Sequence, residues 1–372
     1  MTDCSFKIKD TSSIVSPGLV VFRDIMDANL KEMLREAGDL SRLRPHCKTH
    51  KMASVTKIQL DLGITKHKCA TFAEAEMLAS AGVKDILLGY NLVGPNIQRA
   101  VEFVQQYNDV QFIATADHES PVRSLSAAMQ ASGQSIELLI DLDSGQHRTG
   151  IAPGDAAHQL YRLFEELPGI VPGGIHLYDG QNHQTELEER RQAVMACWQL
   201  ASDFRDTLEA DGLSVPRIVA GGTGSFPVYA SISDPALELS PGTNTFFDNN
   251  YGLMFPDLQY TPAARILTRV ISRPTEDTLT VDLGYKACAS DPDVKKRVVF
   301  PDLPDAEPIL QNEEHLVLRT QHAGDYIPGD ELLAVPGHIC PTSALHKSAY
   351  VIENEEVTDN WVVSSRDRWL TI

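Results

Sequence analysis

Between Leu43 and Phe246 the chain alternates short apolar, β-branched runs with helix-like stretches, and nothing else in it constrains the fold as tightly. Strand, crossover helix, parallel strand is the unit this alternation spells. Strand-like runs fall at Leu43 to Lys48, His67 to Phe72, Asp85 to Tyr90, Val110 to Ala116, Ile136 to Asp143, Pro172 to Tyr178, Arg217 to Gly221 and Leu237 to Phe246. The stretches between them read as helices, with Thr71 and Glu74 spaced as a capping box and Gly82 and Gly133 placed as stops. Eight such strands predict an α/β fold, a closed (β/α)8 TIM barrel. The lack of a G-x-G-x-x-G after an early strand argues against an open doubly wound sheet.

Near Thr261 the pattern changes. Arg265 to Ser272, Thr278 to Leu283, Val298 to Phe300, His315 to Arg319, Glu331 to Val335, Ala349 to Glu353 and Trp361 to Ser364 read as strands with little helix between them. The expected organisation is a barrel over residues 1–260 and a smaller all-β domain over residues 261–372, with the first fifteen or so residues as a candidate addition to the β domain. A length of 372 residues holds one barrel of roughly 250 residues and one such domain.

A formal net charge of −19 makes binding to nucleic acid or to an anionic membrane repulsive over most of the surface, so a small-molecule partner is expected. No apolar run nears the roughly 20 residues that cross a bilayer, and Met1 to Asp10 shows no signal-peptide pattern, so the expected location is the cytoplasm. The six cysteines, Cys4, Cys47, Cys69, Cys197, Cys288 and Cys340, lack framework spacing and suit a reducing compartment.

In a barrel the functional face is built from loops at the C-terminal ends of the strands. Lys48 ends the first strand within Arg44-Pro45-His46-Cys47-Lys48-Thr49-His50-Lys51. An amine there, with Arg44, His50 and Lys51 as cationic neighbours, suits Schiff-base chemistry; a basic surface loop is the alternative. Gly221-Gly222-Thr223-Gly224-Ser225 follows the seventh strand and Pro241-Gly242-Thr243 the eighth, where barrels hold phosphate on backbone N–H groups; ordinary glycine turns would read the same way. Arg148, after the fifth strand, can donate to a cofactor's phenolate oxygen or pair with Asp141 or Asp143. Tyr178 and His183 follow the sixth strand, His183 either as an acid–base group or as a solvated loop histidine. In the β domain, His338 and Cys340 would share one side of a strand and offer an imidazole and a thiolate to zinc, or be a satisfied histidine beside a buried thiol. Glu313, Glu314, His315 and His346 are weaker metal candidates, and Asp282 to Lys286 is a candidate covering loop.

Taken in order, these motifs resemble the fold-type III pyridoxal-phosphate enzymes of the D-serine dehydratase and D-threonine aldolase group, which is related to alanine racemase. The similarity spans nearly the whole chain: R-P-H-C-K-T-H-K at Arg44 to Lys51, C-A-T-F-A-E-A-E at Cys69 to Glu76, D-S-G-Q-H-R-T-G at Asp143 to Gly150, Y-D-G at Tyr178 to Gly180, G-G-T-G-S at Gly221 to Ser225, S-P-G-T at Ser240 to Thr243 and P-G-H-I-C-P-T at Pro336 to Thr342. The resemblance implies that Lys48 carries pyridoxal 5'-phosphate as a Schiff base. It implies further that Gly222, Thr223, Gly224, Ser225, Gly242 and Thr243 bind the phosphate, that Arg148 contacts the pyridoxal oxygen with Tyr178 beside the cofactor, and that His338 and Cys340 hold a divalent metal, zinc ahead of manganese or magnesium. A homodimer is implied as well. The chain departs from the group's pattern at Gln181, where a histidine is usual after the glycine, and at Asn244, where an aromatic residue is usual.

The reaction implied is loss of water and ammonia from a D-configured β-hydroxy-α-amino acid such as D-serine, giving a 2-oxo acid, with Lys48 removing the Cα proton and the metal activating the β-hydroxyl. Retro-aldol cleavage to glycine and an aldehyde, with His183 taking the hydroxyl proton, is the alternative; within the group a His-x-Cys pair leans towards dehydration. An amino-acid racemase, a non-catalytic pyridoxal-phosphate carrier and a metal-dependent hydrolase without pyridoxal are the other rivals. The β domain with its His-x-Cys pair argues against the carrier.

Overall fold

In the computed structural model, which describes residues 6–372, the first strand is β1 (Gly18–Phe22), buried along its whole length. After helix Arg23–Ala37 come seven parallel strands: β2 (Lys66–Cys69), β3 (Asp85–Asn91), β4 (Gln111–Ala116), β5 (Ile136–Leu142), β6 (Ile170–Leu177), β7 (Ile218–Ala220) and β8 (Leu237–Leu239). The remaining strands are β9 (Ala264–Thr275), β10 (Thr278–Val281), β11 (Val298–Val299), β12 (Glu307–Gln311), β13 (Leu316–Arg319), β14 (Glu331–Pro336), β15 (Ser348–Glu353) and β16 (Glu356–Val362). Backbone contacts group the chain into two units. One holds the described residues up to Met33 with Thr49–Ser54 and Thr243–Asp367; the other holds Leu34–Lys48, Val55–Gly242 and Arg368–Ile372. The grouping is therefore not a single cut after residue 260. Residues 1–5, with Cys4, lie outside the described residues.

The second of these units is a curled parallel barrel, with strands β2 to β8 hydrogen-bonded in chain order. One expectation needs correcting. Leu43 to Lys48 is not a regular strand but makes two isolated parallel bridges, Leu43 to Leu239 on β8 and His46 to Lys68 on β2. Pro45 in its middle has no N–H to give and restricts Arg44, so the ladder cannot run through. The segment still links both ends of the sheet, since Arg44 N–H donates to Leu239 O and Lys68 N–H to Pro45 O. Arg44 itself is fully buried and donates to Glu238 on β8 (2.6 Å) and to both oxygens of Asp85 on β3 (2.6 and 3.1 Å), while Lys66 reaches the other oxygen of Glu238 (2.7 Å). Strand β8 is also shorter than expected; the chain after Leu239 turns through Ser240 and Pro241 into the 3-10 turn Thr243–Thr245.

Register decides what fills the barrel. Lys68 pairs with Leu87, Leu87 with Ile113, Asp141 with His176 and His176 with Val219, and Ile113 pairs with Glu137, two positions before Leu139 and four before Asp141. Side chains opposite one another, and those two apart along a strand, share a face. Leu87, Ile113, Leu139 and Val219, a buried apolar cluster, thus share their face with Lys68, Asp141 and His176.

The other unit is built on a nine-stranded sheet in which β1 lies between β9, antiparallel to it, and β15, parallel to it. Its core includes Ile266, Val270, Leu279, Val281, Leu316, Leu318 and Leu332. The five described cysteines are all free, and no helix among the described residues is long and apolar enough to cross a membrane.

Candidate active site

Lys48 stands in the turn that follows the His46 bridge, and its backbone N–H donates to His46 Nδ1 (3.2 Å). Its Nζ lies 6.0 Å from the centroid of the Tyr178 ring, just past the end of β6. Arg148 lies over the same ring, its Cζ 4.7 Å from the centroid. The alternative partners of Arg148 are engaged elsewhere: Asp143 with His147 Nδ1 (2.6 Å) and Asp141 with His176 Nδ1 (2.6 Å). A third cation completes the set, since Lys68 Nζ is also 6.0 Å from the Tyr178 centroid.

The glycine loop after β7 begins at Gly221, whose φ of +83° suits glycine. A Cβ on Gly222 would come within 3.4 Å of the Tyr178 ring, so the loop backbone runs close to the ring that the cations surround. Ser225 is buried and its Oγ donates to Asp179 Oδ1 (2.8 Å), so an anion here would be met by backbone N–H groups rather than by that hydroxyl. Burial raises the Asp179 carboxyl above its ordinary range, against the lowering effect of Ser225 and Asn182. At the start of the loop after β8, the buried Ser240 Oγ has no hydrogen-bond partner, and Gly242 is buried two positions on. Three cations at one aromatic ring, a glycine loop beside it and an orphaned hydroxyl fit an anionic aromatic aldehyde, which is the chemistry of pyridoxal phosphate.

His183 is exposed on the loop after β6. Sequence reasoning singled out neither Lys68 nor His176. For His176 a signal was present, since it lies two residues before Tyr178 and so shares its strand face. Also unforeseen is a group in the barrel formed by His46, Cys47 and Glu74, each offering a ligand atom within 4.8 Å of the others. Glu74 Oε2 there already accepts the Ala70 N–H (2.6 Å).

The other unit carries the His-x-Cys pair, and here too the structure corrects the expectation. His338 and Cys340 are not on a strand. His338 is the N-cap of helix Ile339–Leu345, and Cys340 lies in its first turn. Cys340 nonetheless acts on the His338 imidazole. Asp291 Oδ2 is 2.6 Å from His338 Nδ1, and Cys340 Sγ is 3.2 Å from Thr49 Oγ1 and 3.5 Å from Thr243 Oγ1. Burial lowers the His338 imidazolium, but Cys340 and Asp291 outweigh it and raise the group to about 9. The helix start is held by Asp248, a fully buried carboxylate that accepts the Ile339 N–H (3.0 Å) and the Tyr251 N–H (2.9 Å). Imidazole and thiolate with a carboxylate behind the imidazole form a donor set suited to zinc. The weaker candidates have other partners: Glu313 and Glu314 pair with Lys286 (2.6 and 3.1 Å), and His346 Nε2 meets Ala287 O (2.8 Å).

Comparison with known proteins adds the following. Residues 22–249 match the family described as alanine racemase, N-terminal domain, and residues 263–352 match the putative serine dehydratase domain. A D-threonine aldolase from Arthrobacter sp is 30% identical over 358 residues, covering 94% of this chain and 92% of that one. The D-threo-3-hydroxyaspartate dehydratase of Delftia sp. (strain HT23) is 25% identical, covering 93% and 96%. The crystal structure of D-threonine aldolase from Filomicrobium marinum superposes with a TM-score of 0.89 at 26% identity, covering 98% of each chain.

Proposed function

The chain belongs to the fold-type III pyridoxal-phosphate enzymes, in the group that holds the D-threonine aldolases and D-serine dehydratases, and from that premise we propose that it removes water and ammonia from a D-serine-like β-hydroxy amino acid with the help of a divalent metal. Its relatives are lyases acting on D-configured hydroxy amino acids, and it is a pyridoxal-phosphate-dependent lyase. The observation that carries the finer reading is the pairing of His338 with Cys340 at one helix start, with Asp291 against the imidazole (2.6 Å), because within the resembled group a His-x-Cys pair leans towards dehydration.

When bound, pyridoxal phosphate supplies an electron sink at Cα and the divalent cation a Lewis acid at the β-oxygen. Lys48 is the amine that holds the cofactor's aldehyde carbon and, once released, takes the Cα proton. Arg148 supplies guanidinium donors and Tyr178 an aromatic face, while the loop of Gly222, Thr223, Gly224 and Ser225, with Gly242 and Thr243, takes the phosphate. His338 and Cys340 hold the cation. His183 is a candidate for proton exchange from the loop after β6.

Retro-aldol cleavage to glycine and an aldehyde is the second reading, favoured by the 30% identity to an aldolase against 25% to a dehydratase. Product analysis separates the two. Incubation with D-serine and D-threonine is expected to yield pyruvate and 2-oxobutyrate with ammonia. Glycine with acetaldehyde from D-threonine would assign the chain to the aldolases, and no turnover of either amino acid would remove both readings.

A further inference from the structure

The interior of a parallel barrel is a packed core of branched aliphatic side chains, and Leu87, Ile113, Leu139 and Val219 fill that role here. Lys68, His176 and Asp141 share their face, each no more than 6% exposed. Polar groups so placed are costly unless hydrogen-bonded, and these three are bonded in series. Lys68 Nζ is 2.7 Å from His176 Nε2, and His176 Nδ1 is 2.6 Å from Asp141 Oδ1. A carboxylate accepting the Nδ1–H sets the imidazole so that Nε2 accepts from the lysine. Space for the lysine is built into the neighbouring strand: a Cβ at Gly89 on β3 would stand 2.6 Å from Lys68 Cε.

This relay ends at the cluster already described, with Lys68 Nζ and Lys48 Nζ each 6.0 Å from the centroid of the Tyr178 ring. We propose that Lys68, braced by His176 and Asp141, is a second acid–base group of this site, exchanging the proton that Lys48 does not. The inference rests on the reading of Lys48 as the cofactor-bearing amine. Either bond cleavage takes one proton from the amino acid and returns one. In dehydration Cα loses a proton to Lys48 and the departing hydroxide gains one. In retro-aldol cleavage the β-hydroxyl loses a proton and Cα gains one. Lys68 ammonium gives its proton by breaking one N–H bond and keeping the electron pair; as the amine it takes one by the reverse. The proton Lys48 collects then makes up the one Lys68 gave, and the site ends the cycle with the protons it began with.

The charged groups that face Lys68 are Lys48, Arg148 and Arg44 on one side of the balance and Asp141 on the other, with His176 in contact. Burial first, and then the Lys48 ammonium, bring the Lys68 ammonium down to about 7, where an amine both gives and takes protons near neutrality.

The test is the pH dependence of turnover of the holoenzyme with D-serine and D-threonine, read alongside the visible absorbance of the bound cofactor over the same range. The wild-type protein is expected to show one inflection, the titration of Lys68, in both. Lys68→Met is expected to lose that inflection and about 10²-fold or more in turnover. Lys68→Arg, which keeps bulk and charge but stays protonated, is expected to lose the inflection too, and serves if the methionine variant does not fold. Gly89→Ala, which crowds the lysine stem, is expected to move both readouts in the same direction. A Lys68→Met or Lys68→Arg protein with the wild-type inflection overturns the proposal, even with lowered turnover, because lowered turnover alone marks a packing residue. Lys48→Ala keeps the two levels apart. If it remains fully active, the Lys48 reading fails; if it is inactive while the Lys68 variants behave as wild type, only this proposal fails.

Discussion

His50 shows how one residue of the Arg44 to Lys51 motif acts through burial rather than through charge. It was read from sequence as a cationic neighbour of Lys48, yet it is 1% exposed, and its Nδ1 accepts the Met52 N–H (3.1 Å). Burial, helped by the Lys51 charge, holds its imidazolium down to about 3 from an ordinary 6.5. A group whose folded value lies below its unfolded value favours the folded state fully above the unfolded value, and that contribution fades as pH falls. Between pH 6.5 and 5 the loss is up to about 1.4 kcal/mol per pH unit. His50→Asn keeps an acceptor for Met52 but cannot charge, so its stability in urea titrations at pH 7, 6 and 5 is expected to fall less steeply than that of the wild type; equal slopes would contradict the account. At this scale the sequence marks contiguous motifs, such as those that contain Lys48 and the His338–Cys340 pair. It did not bring together Lys68, His176 and Asp141, which lie on three different strands and meet only across the barrel interior.

Among the elements, the irregular segment Leu43 to Lys48 has the most to say about stability. With only two bridges in place of a ladder, its attachment leans on the buried Arg44 and its bonds to Glu238 and Asp85. Burial disfavours the Glu238 carboxylate, but Arg44 and Lys66 more than offset this and hold it below its ordinary range. Removing the cation leaves that carboxylate under-compensated, so Arg44→Met is expected to cost about 3–5 kcal/mol in urea unfolding. Glu238→Gln on the same background is expected to recover part of it. If Arg44→Met is neutral, the network does not hold the segment. The βα alternation made the other seven strands legible, because buried parallel strands are written as short apolar runs. The eighth failed as a regular strand through Pro45, and the His338–Cys340 stretch became a helix start, where Asp248 on a distant segment supplies the acceptor for its first free N–H.

For the whole molecule, the cation cluster around Tyr178 belongs to one unit and the His338–Cys340 pair to the other. Thorough chelation is therefore expected to abolish turnover while leaving the cofactor's visible absorbance in place, with activity restored by added zinc; a chelated enzyme that keeps its full rate would remove the metal from the reaction. That a sheet-rich part follows the barrel was visible as a change from helical to strand-only patterning, whereas the membership of β1 was not, since a strand's distant partners leave no mark in its own residues. That membership has a bearing on synthesis. Gly18–Phe22 emerges from the ribosome long before Ala264–Thr275 and Ser348–Glu353, the strands that flank it. A fully apolar five-residue strand must then wait, unpaired, through translation of the barrel staves. A nascent chain stalled before Ala264 would display that strand as an open edge, a ready template for chaperone capture or for misassembly with another copy.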